Sequence, residues 1–213
     1  MMQRMRPLAL LAAASLVAVL ATGCGGSKKA SVAPSTTTTA TTTPAATTTG
    51  SASPSPLQAE AKAAATGDVP DNQVFLRFAD VSAGYSVKYP EGWAQQGSGA
   101  SVTIRDKNNI VRVVVSSGAA ATPAEARKDI AGVAGATITK GPLTTTVSGK
   151  LAVKVVYTTQ SAANPVTGKR LTLVVDRYYL SHGGKRAVVD LGTPQGVDNV
   201  DAYRLMIESF TWK

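Results

Sequence analysis

The sequence predicts an α+β domain in which helices cover a mainly antiparallel sheet. Two observations indicate this fold class. From about residue 71 onward, short β-like runs separated by turn residues recur along the chain, and two segments with helical apolar spacing interrupt and close the series. The chain has 213 residues, and those before residue 71 have a different composition. About 140 residues therefore remain for folding, enough for one ordinary domain.

The first part of the chain has the composition of an export signal. Residues 1–6 include two arginines, and residues 7–21 form an apolar run rich in Leu, Ala and Val. This run is shorter than the roughly 20 residues that a permanent transmembrane helix needs. Positive charge followed by such a run is typical of a cleaved signal peptide, which we place at residues 1–23.

Cys24 is the only cysteine in the chain, so an internal disulfide is excluded. Residues 20–24, Leu-Ala-Thr-Gly-Cys, resemble the lipobox of bacterial lipoprotein precursors. The resemblance implies cleavage between Gly23 and Cys24 and a diacylglyceryl group on the Cys24 sulfur, which would anchor the chain stably to the extracytoplasmic face of the cell membrane. An ordinary secretory signal and a retained single span are the alternatives, and both also leave the domain outside the cytoplasm.

Residues 24–70 are predicted to be a lipidated N-terminus and a flexible tether. Thr, Ser, Ala, Pro and Gly dominate residues 25–56, a composition that cannot offset the entropy lost on ordering. As a flexible coil the tether would reach about 35–40 Å, and its Thr, Ser and Pro content also allows O-linked sugar. Residues 57–65 have high helix propensity but few large apolar groups, so a frayed helix and a disordered end both stay open.

The domain, residues 71–213, is expected to begin with two strands and then a hairpin. Residues 74–79 and 85–89 are β-like, and the second run is apolar at every other position until Pro90. Residues 101–105 and 110–116 flank a polar turn cluster, which predicts the hairpin.

A helix, a meander of strands and a final helix follow. Thr122, Pro123 and Glu125 have the form of a capping box, and apolar residues at helical spacing continue up to Gly135. The next β-like segments are residues 138–147, 151–160, 170–180 and 186–191. The last helix is predicted from about Asp198, with its apolar face formed by Val200, Tyr203, Ile207 and Phe210.

Residues 84–93, Gly-Tyr-Ser-Val-Lys-Tyr-Pro-Glu-Gly-Trp, resemble the opening of PsbP-like domains, and residues 208–210, Glu-Ser-Phe, resemble their close. The resemblance covers residues 74–212 and implies an α/β/α sandwich. This group includes photosynthetic accessory subunits and actinobacterial lipoproteins of the LpqN kind, so the resemblance implies no functional residue. Trp93 is expected to cover the core where the chain leaves the sheet.

Charge gives a weak indication of partners. The formal net charge is +9, while residues 71–213 hold 17 Lys and Arg against 11 Asp and Glu, a net charge of +6. A mild excess of this kind can steer a protein toward an anionic lipid or polymer. It lacks the clustered basic stripe and stacking aromatics of a nucleic-acid interface, so no nucleic-acid partner is predicted.

Catalytic and metal-binding patterns are not found in the sequence. His182 is the only histidine and lies in a Ser-His-Gly-Gly-Lys turn, where we expect an exposed residue and not a catalytic base. A zinc site would need several His or Cys ligands. Asp198 and Asp201 are expected to favour the dipole of the last helix without a metal. The sequence thus predicts no cofactor, no metal and no enzymatic activity.

Two further groups of side chains bear on possible binding surfaces. Lys169, Arg170, Lys185 and Arg186 could gather at one end of the sheet as an anion receptor, although solvated loop charges are favoured. The adjacent Tyr178 and Tyr179 should face opposite sides of the sheet, one in the core and the other covered by a helix.

Three functions follow from these observations, in order of preference. The first is a non-catalytic, membrane-tethered module that binds a protein or an envelope component. The second is a carrier of a small apolar ligand or lipid, which requires a continuous apolar pocket of a few hundred cubic ångströms. The third is a hydrolase without histidine, which requires convergent polar groups with perturbed pKa values in a cleft. The oligomeric state is not predicted.

Overall fold

The computed structural model describes residues 55–213. The predicted signal peptide, Cys24 and most of the tether lie outside the described residues. The described helices are α1 (Pro56–Thr66), α2 (Pro123–Ala131) and α3 (Val200–Glu208). The described strands are β1 (Phe75–Asp80), β2 (Tyr85–Pro90), β3 (Ala94–Ser98), β4 (Ser101–Asp106), β5 (Asn109–Ser117), β6 (Thr137–Val147), β7 (Lys150–Gln160), β8 (Thr172–His182), β9 (Lys185–Pro194) and β10 (Thr211–Trp212).

The strands form two antiparallel sheets. The central sheet has seven strands in the order β3-β4-β5-β9-β8-β7-β6, and the smaller sheet has the order β1-β2-β10. Helix α2 packs on one face of the central sheet, and helix α3 together with the small sheet packs on the other. The predicted α+β fold with a mainly antiparallel sheet between helices is therefore confirmed. None of the helices within residues 55–213 is long and apolar enough to cross a membrane.

The face beneath α3 and the small sheet holds the larger core. Alternate residues of β5, such as Val111 and Val113, point to this face and are fully buried, as are Tyr85 and Val87 of β2. The side chain of Phe210 stacks on Tyr85 with ring centroids 5.7 Å apart. Burial of this kind is worth about 1.5–3 kcal/mol for each large apolar side chain, so the small sheet is held by packing and not by shared strand pairing.

The opposite face is covered by α2, whose start follows the predicted capping box. The backbone N–H of Glu125 donates to Thr122 Oγ1 at 3.2 Å, and the backbone N–H of Thr122 donates to Glu125 Oε2 at 2.7 Å. The helix buries Ala126 and Ile130 against the sheet. It ends at Ala131 with Gly132 as its C-cap, earlier than the predicted Gly135.

A buried ion pair lies within this second face. Arg177 of β8 donates to the carboxylate of Asp190 on β9 through Nε at 2.5 Å and Nη2 at 2.9 Å, and both side chains are about 10% exposed. Its Nη2 also donates to the Tyr157 hydroxyl at 3.3 Å. Bidentate geometry satisfies both charges where water has little access, which is the condition for tolerating an ion pair in a core.

Some predicted details were wrong. Strand β3 was not predicted, since its Ala-Gln-Gln-Gly-Ser sequence is exposed along its whole length. The two-residue strand β10 and the separation of β1 and β2 into a second sheet were also not predicted. The predicted apolar face of α3 is only partly correct, because Val200 is 71% exposed and Phe210 lies beyond the end of the helix, although it is buried.

Residues 67–69 are attached to the domain by a buried polar network, which we call the asparagine latch: Gly67, Val69, Asn109, Thr193 and Asn199. The side-chain amides of Asn109 and Asn199 both donate to the Gly67 carbonyl, at 2.5 and 3.1 Å, and Val69 N–H donates to Asn199 Oδ1 at 2.7 Å. Asn199 also contacts Thr193 Oγ1 at 3.0 Å. Because its side chain is engaged in this way, Asn199 is the N-cap residue of α3 without making a cap hydrogen bond.

The latch shows that residues before Asp71 also pack against the domain. The domain boundary at Asp71 stays a prediction. Gly67 has φ +116 and is buried, and a Cβ there would lie 3.4 Å from the Asn109 amide nitrogen. Glycine therefore suits this position both by backbone conformation and by the approach of Asn109. Residues 56–66 form α1, which settles the question that the sequence left open for residues 57–65 in favour of a helix.

We expect Asn199→Ala to lower the free energy of unfolding by about 1–3 kcal/mol, because buried groups of the latch lose their partners. Amide hydrogen exchange should also become faster at Val69, whose N–H donates to the Asn199 side chain. Urea unfolding and hydrogen exchange measure the two effects. The exposed Asn72 provides the control, since Asn72→Ala should change stability by no more than about 0.5 kcal/mol. Unchanged exchange at Val69 in Asn199→Ala would contradict the latch.

Candidate functional site

An open groove lies between α3 and the part of the central sheet that α3 does not cover. Its floor is formed by strands β6 to β9, and one wall is formed by α3. Helix α3 has only nine residues, about 13 Å of helix, so it cannot shield all of these strands. The groove encloses about 400 Å³, which lies within the usual range for small-molecule and cofactor sites.

Most of the groove surface is apolar, and hydroxyl groups lie on either side of the part of the floor formed by β7 and β8. The apolar contributions come from strand residues and from α3, and they include Val147, Val174, Leu191, Val197 and Ile207. Threonine side chains of β6 and β9 supply the hydroxyl groups. The surface can therefore contact apolar groups and still offer hydrogen bonds.

A charged pair lies on the floor of this groove. Lys154 Nζ is 2.6 Å from Asp176 Oδ2, and each side chain is 28% exposed. Lys154 is the cross-strand partner of Tyr178, and Asp176 is two residues along β8 on the same face. The ammonium also lies 5.0 Å from the centroid of the Tyr178 ring. The register of β7 and β8 thus brings a cation, an anion and an aromatic ring together.

The pKa values of this cluster fix its charge states. Burial lowers the pKa of Lys154, but hydrogen bonds and charge from Asp176 and Tyr178 outweigh burial, so the pKa is raised overall. Burial raises the pKa of the Tyr178 hydroxyl, although Lys154 acts in the opposite direction. At neutral pH, Lys154 is an ammonium and Tyr178 is a neutral phenol. The cluster supplies donors and acceptors, and Lys154 cannot serve as a proton acceptor.

The charges that line the groove balance. Lys154 and Arg204 are matched by Asp176 and Glu208, so the lining has no net charge although the domain is basic. Arg204 is also held at 2.8 Å by Asp201, in an exposed pair. The groove therefore has no electrostatic preference for a strongly anionic or cationic ligand.

The residues that the sequence singled out lie elsewhere. His182 is exposed at the end of β8, with its ring centroid 6.4 Å from that of Trp212. Lys169 and Arg170 precede β8, whereas Lys185 and Arg186 follow it. The two basic pairs are separated by the length of an eleven-residue strand, roughly 35 Å, so they do not gather at one end of the sheet as the anion receptor would require.

A second cavity, of about 500 Å³, is lined by four aspartates, including the Asp198 and Asp201 that the sequence placed at the start of the last helix. Asp198 accepts the backbone N–H of Val200 at 3.3 Å, in line with a role at the helix start. Within residues 55–213, no group of three His, Cys, Asp or Glu residues could hold a metal ion.

The expectation for the paired tyrosines is confirmed. Tyr178 faces the groove side of the sheet and Tyr179 faces α2, and both are buried. The sequence analysis missed Lys154 and Asp176. A signal was present, because Lys154 interrupts an apolar run, Val-Lys-Val at 153–155, and Asp176 directly follows one, Leu-Val-Val at 173–175.

The chain was compared with known proteins. No model of a protein family matches the sequence, and no curated protein matches it. Among solved structures, it is similar to the solution structure of cyanobacterial PsbP (CyanoP) from Synechocystis sp. PCC 6803, with 16% identity and a TM-score of 0.49. The similarity covers 69% of this chain and 98% of CyanoP.

Two further structures are similar at lower scores. The Saccharomyces cerevisiae Ran-binding protein Mog1p shows 10% identity and a TM-score of 0.43, covering 66% of this chain and 96% of Mog1p. LpqN of Mycobacterium tuberculosis, which is involved in cell envelope biogenesis, shows 15% identity and a TM-score of 0.38, covering 66% of this chain and 91% of LpqN. CyanoP and LpqN are of the kinds that the motif at residues 84–93 resembles. At this level of similarity the matches carry no information about a ligand or partner.

We expect Asp176→Leu to lower the free energy of unfolding by about 1–2 kcal/mol, because it leaves the Lys154 ammonium half-buried without its partner. The double variant Lys154→Met/Asp176→Leu should recover part of this loss. Asp201→Leu, which breaks an exposed pair, provides the control and should cost no more than about 0.5 kcal/mol. Urea unfolding measures all three, and equal losses in Asp176→Leu and Asp201→Leu would contradict the half-buried pair.

The same pair predicts a dependence on pH. Because the pKa of Lys154 is raised by folding, its contribution to stability is present below its ordinary pKa of 10.5 and is lost as the pH rises through the folded value. The stability difference between the wild-type chain and Lys154→Met should therefore shrink above that pH.

Proposed function

We propose that this chain is a membrane-tethered, extracytoplasmic binding module without catalytic activity, and that the groove beside α3 is its binding site. One observation carries the proposal: a half-buried Lys154–Asp176 pair lies on the floor of an open and otherwise largely apolar groove. Such a pair is costly to desolvate unless its hydrogen-bonding capacity is used. A groove that keeps it accessible is suited to recognising a polar group within an apolar ligand surface.

The groove chemistry favours binding over hydrolysis. A hydrolase needs a nucleophile and a base within hydrogen-bond reach of each other. The residues that line the groove include no serine, cysteine or histidine, and the raised pKa of Lys154 keeps that residue protonated. The polar groups that do converge here are a salt bridge and a phenol, which hold or orient a ligand.

A carrier of apolar ligands is the second candidate, favoured by the volume of the groove. About 400 Å³ is sufficient for part of an acyl chain. The lining nevertheless departs from the continuous apolar pocket that a carrier requires, since an alkyl chain over Lys154 and Asp176 would remove water without replacing its hydrogen bonds. A ligand with its own hydrogen-bonding groups fits the floor better.

The location of the module is proposed from the N-terminal sequence. Residues 1–23 have the form of a signal peptide, and residues 20–24 resemble a lipobox, which would place lipid on Cys24. The Thr-, Ser-, Pro- and Ala-rich segment that follows would let the groove search the envelope at a distance from the membrane. A protein or an envelope component within that reach is the proposed partner.

Replacing Cys24 tests this location. In the native host, the wild-type chain should carry a lipid mass on Cys24 and partition into the detergent phase, whereas Cys24→Ala should lack both properties because it has no thiol to accept lipid. Intact mass and phase partitioning measure the outcome. A wild-type product that carries no lipid and begins at a residue other than Cys24 would contradict the lipoprotein assignment.

A charge placed on the groove floor tests the binding site. Val174→Lys should weaken binding to envelope components at least about tenfold, because the longer charged side chain obstructs an apolar part of the groove. The same change at Val166, which is 91% exposed and does not line the groove, provides the matched control. Retention of envelope fractions on immobilised full-length chain measures the difference, and equal retention by the two variants would exclude the groove.

A further inference from the structure

The charge balance of the groove restricts the chemical class of its ligand. Lys154 and Asp176 neutralise each other at 2.6 Å. The remaining charged lining residues, Arg204 and Glu208, are both exposed and carry one charge of each sign. On the groove floor, where Lys154 and Asp176 already neutralise each other, a charged ligand group would lose hydration without an unpaired counter-charge to meet it, which is unfavourable. The groove is therefore complementary to an uncharged ligand.

The Lys154–Asp176 pair still has hydrogen-bonding capacity to offer. An ammonium has three N–H donors, and a carboxylate accepts up to about four hydrogen bonds. Asp176 and Tyr178 account for two of the Lys154 donors, and the described contacts of Asp176 use little of its accepting capacity. A donor and an acceptor are thus available next to each other on the floor of the groove.

An extended peptide residue has the complementary arrangement. In an antiparallel pair, one residue presents its own N–H and C=O side by side and exchanges both hydrogen bonds with the residue opposite. Lys154 and Asp176, with Nζ and Oδ2 only 2.6 Å apart, supply the corresponding donor and acceptor from side chains. This permits recognition of a peptide backbone without a free strand edge.

The surroundings of the pair favour a peptide over a sugar. Apolar side chains surround it: Leu191 lies directly opposite Asp176 on β9, and Val174 lies two residues before Asp176 on β8. Val147 and Ile207 also line the groove, and these side chains can contact those of a bound segment. The ring of Tyr178 is buried beneath the Lys154 ammonium. It therefore offers no open aromatic face on which a sugar ring could stack.

From these observations we infer that the groove binds an uncharged, extended peptide segment of a partner protein, with one peptide residue donating its N–H to Asp176 and accepting a hydrogen bond from Lys154. This inference rests on the proposed function, because it requires the groove to be the binding site. It adds the class of ligand. It also assigns recognition of the peptide backbone to the Lys154–Asp176 pair.

The test uses the full chain with isotope-labelled methyl groups, followed by NMR. The probe is a pentapeptide of alternating valine and threonine, acetylated at its N-terminus and amidated at its C-terminus so that it has no charge. We expect saturable shifts of the Val174, Leu191 and Ile207 methyl signals, with the signals of Val166 unchanged. Methylation of the central amide nitrogen of the probe should weaken binding about tenfold, because it removes one hydrogen bond to a charged group.

Two variants provide the matched comparison on the protein side. Asp176→Leu should weaken binding of the unmodified probe about tenfold. Asp129→Leu removes an exposed aspartate of α2, on the opposite face of the sheet, and should leave binding unchanged. Since Asp176→Leu also affects stability, the N-methylated probe on the wild-type chain gives an independent measure of the same hydrogen bond.

The other outcomes separate the two proposals. Equal binding of the N-methylated and unmodified peptides would overturn backbone recognition. Groove shifts with maltose or with myristate, but none with the peptide, would overturn the peptide class and leave the groove as the binding site. If none of these probes shifted the groove methyl groups, both the ligand class and the groove as binding site would be rejected.

Discussion

The central sheet has apolar side chains on both of its faces, and the rest of the domain follows from this constraint. On β8, Val175 points toward α2 and Leu180 toward the opposite core, and both are buried. A strand of this kind is stable only where each face is covered. Helix α2 covers one face, while α3 and the three-stranded sheet divide the other. Because α3 is short, the second cover is incomplete, and the groove is the part of the sheet that it leaves accessible.

The two ion pairs of β8 lie on opposite faces of the sheet, one enclosed in the core and the other open to the candidate groove. Asp176 and Arg177 are adjacent, so their side chains point in opposite directions. Arg177 is paired with Asp190 by two hydrogen bonds, and further contact with Tyr157 surrounds it with protein. Asp176 is paired with Lys154 through one contact and remains accessible from the groove. The first pair has little capacity left for a ligand, whereas the second retains donors and acceptors.

Local sequence patterns predicted much of the fold. Alternating apolar residues indicated β2, β4, β5 and the meander, and the Thr122 capping box placed the start of α2 at the correct residue. Elements without a local signal were missed. Strand β3 buries none of its side chains, and β10 is too short to show a period. The small sheet depends on pairing between β2 and the C-terminal residues, a contact that only the tertiary fold creates.

The candidate site was harder to predict from the sequence, because it also depends on contacts that only the tertiary fold creates. Lys154 and Asp176 are far apart in the chain, and only the register between β7 and β8 brings them together. Charged residues inside apolar strands were a usable signal, but they do not identify which charges will meet. The opposite orientations of Tyr178 and Tyr179 were easier to predict, because adjacent strand residues face opposite sides of the sheet. Alternation therefore predicts the face on which a side chain lies, and register decides its neighbours.

The asparagine latch determines where a mechanical load from the N-terminal chain enters the domain. Any pull transmitted through α1 arrives at Gly67 and is borne first by the amides of Asn109 and Asn199. Asn199 immediately precedes α3, and its contact with Thr193 links it to β9. Both elements bound the groove. In the proposed tethered arrangement, the point where the N-terminal chain enters the domain and one end of the candidate groove thus share the Asn199 side chain.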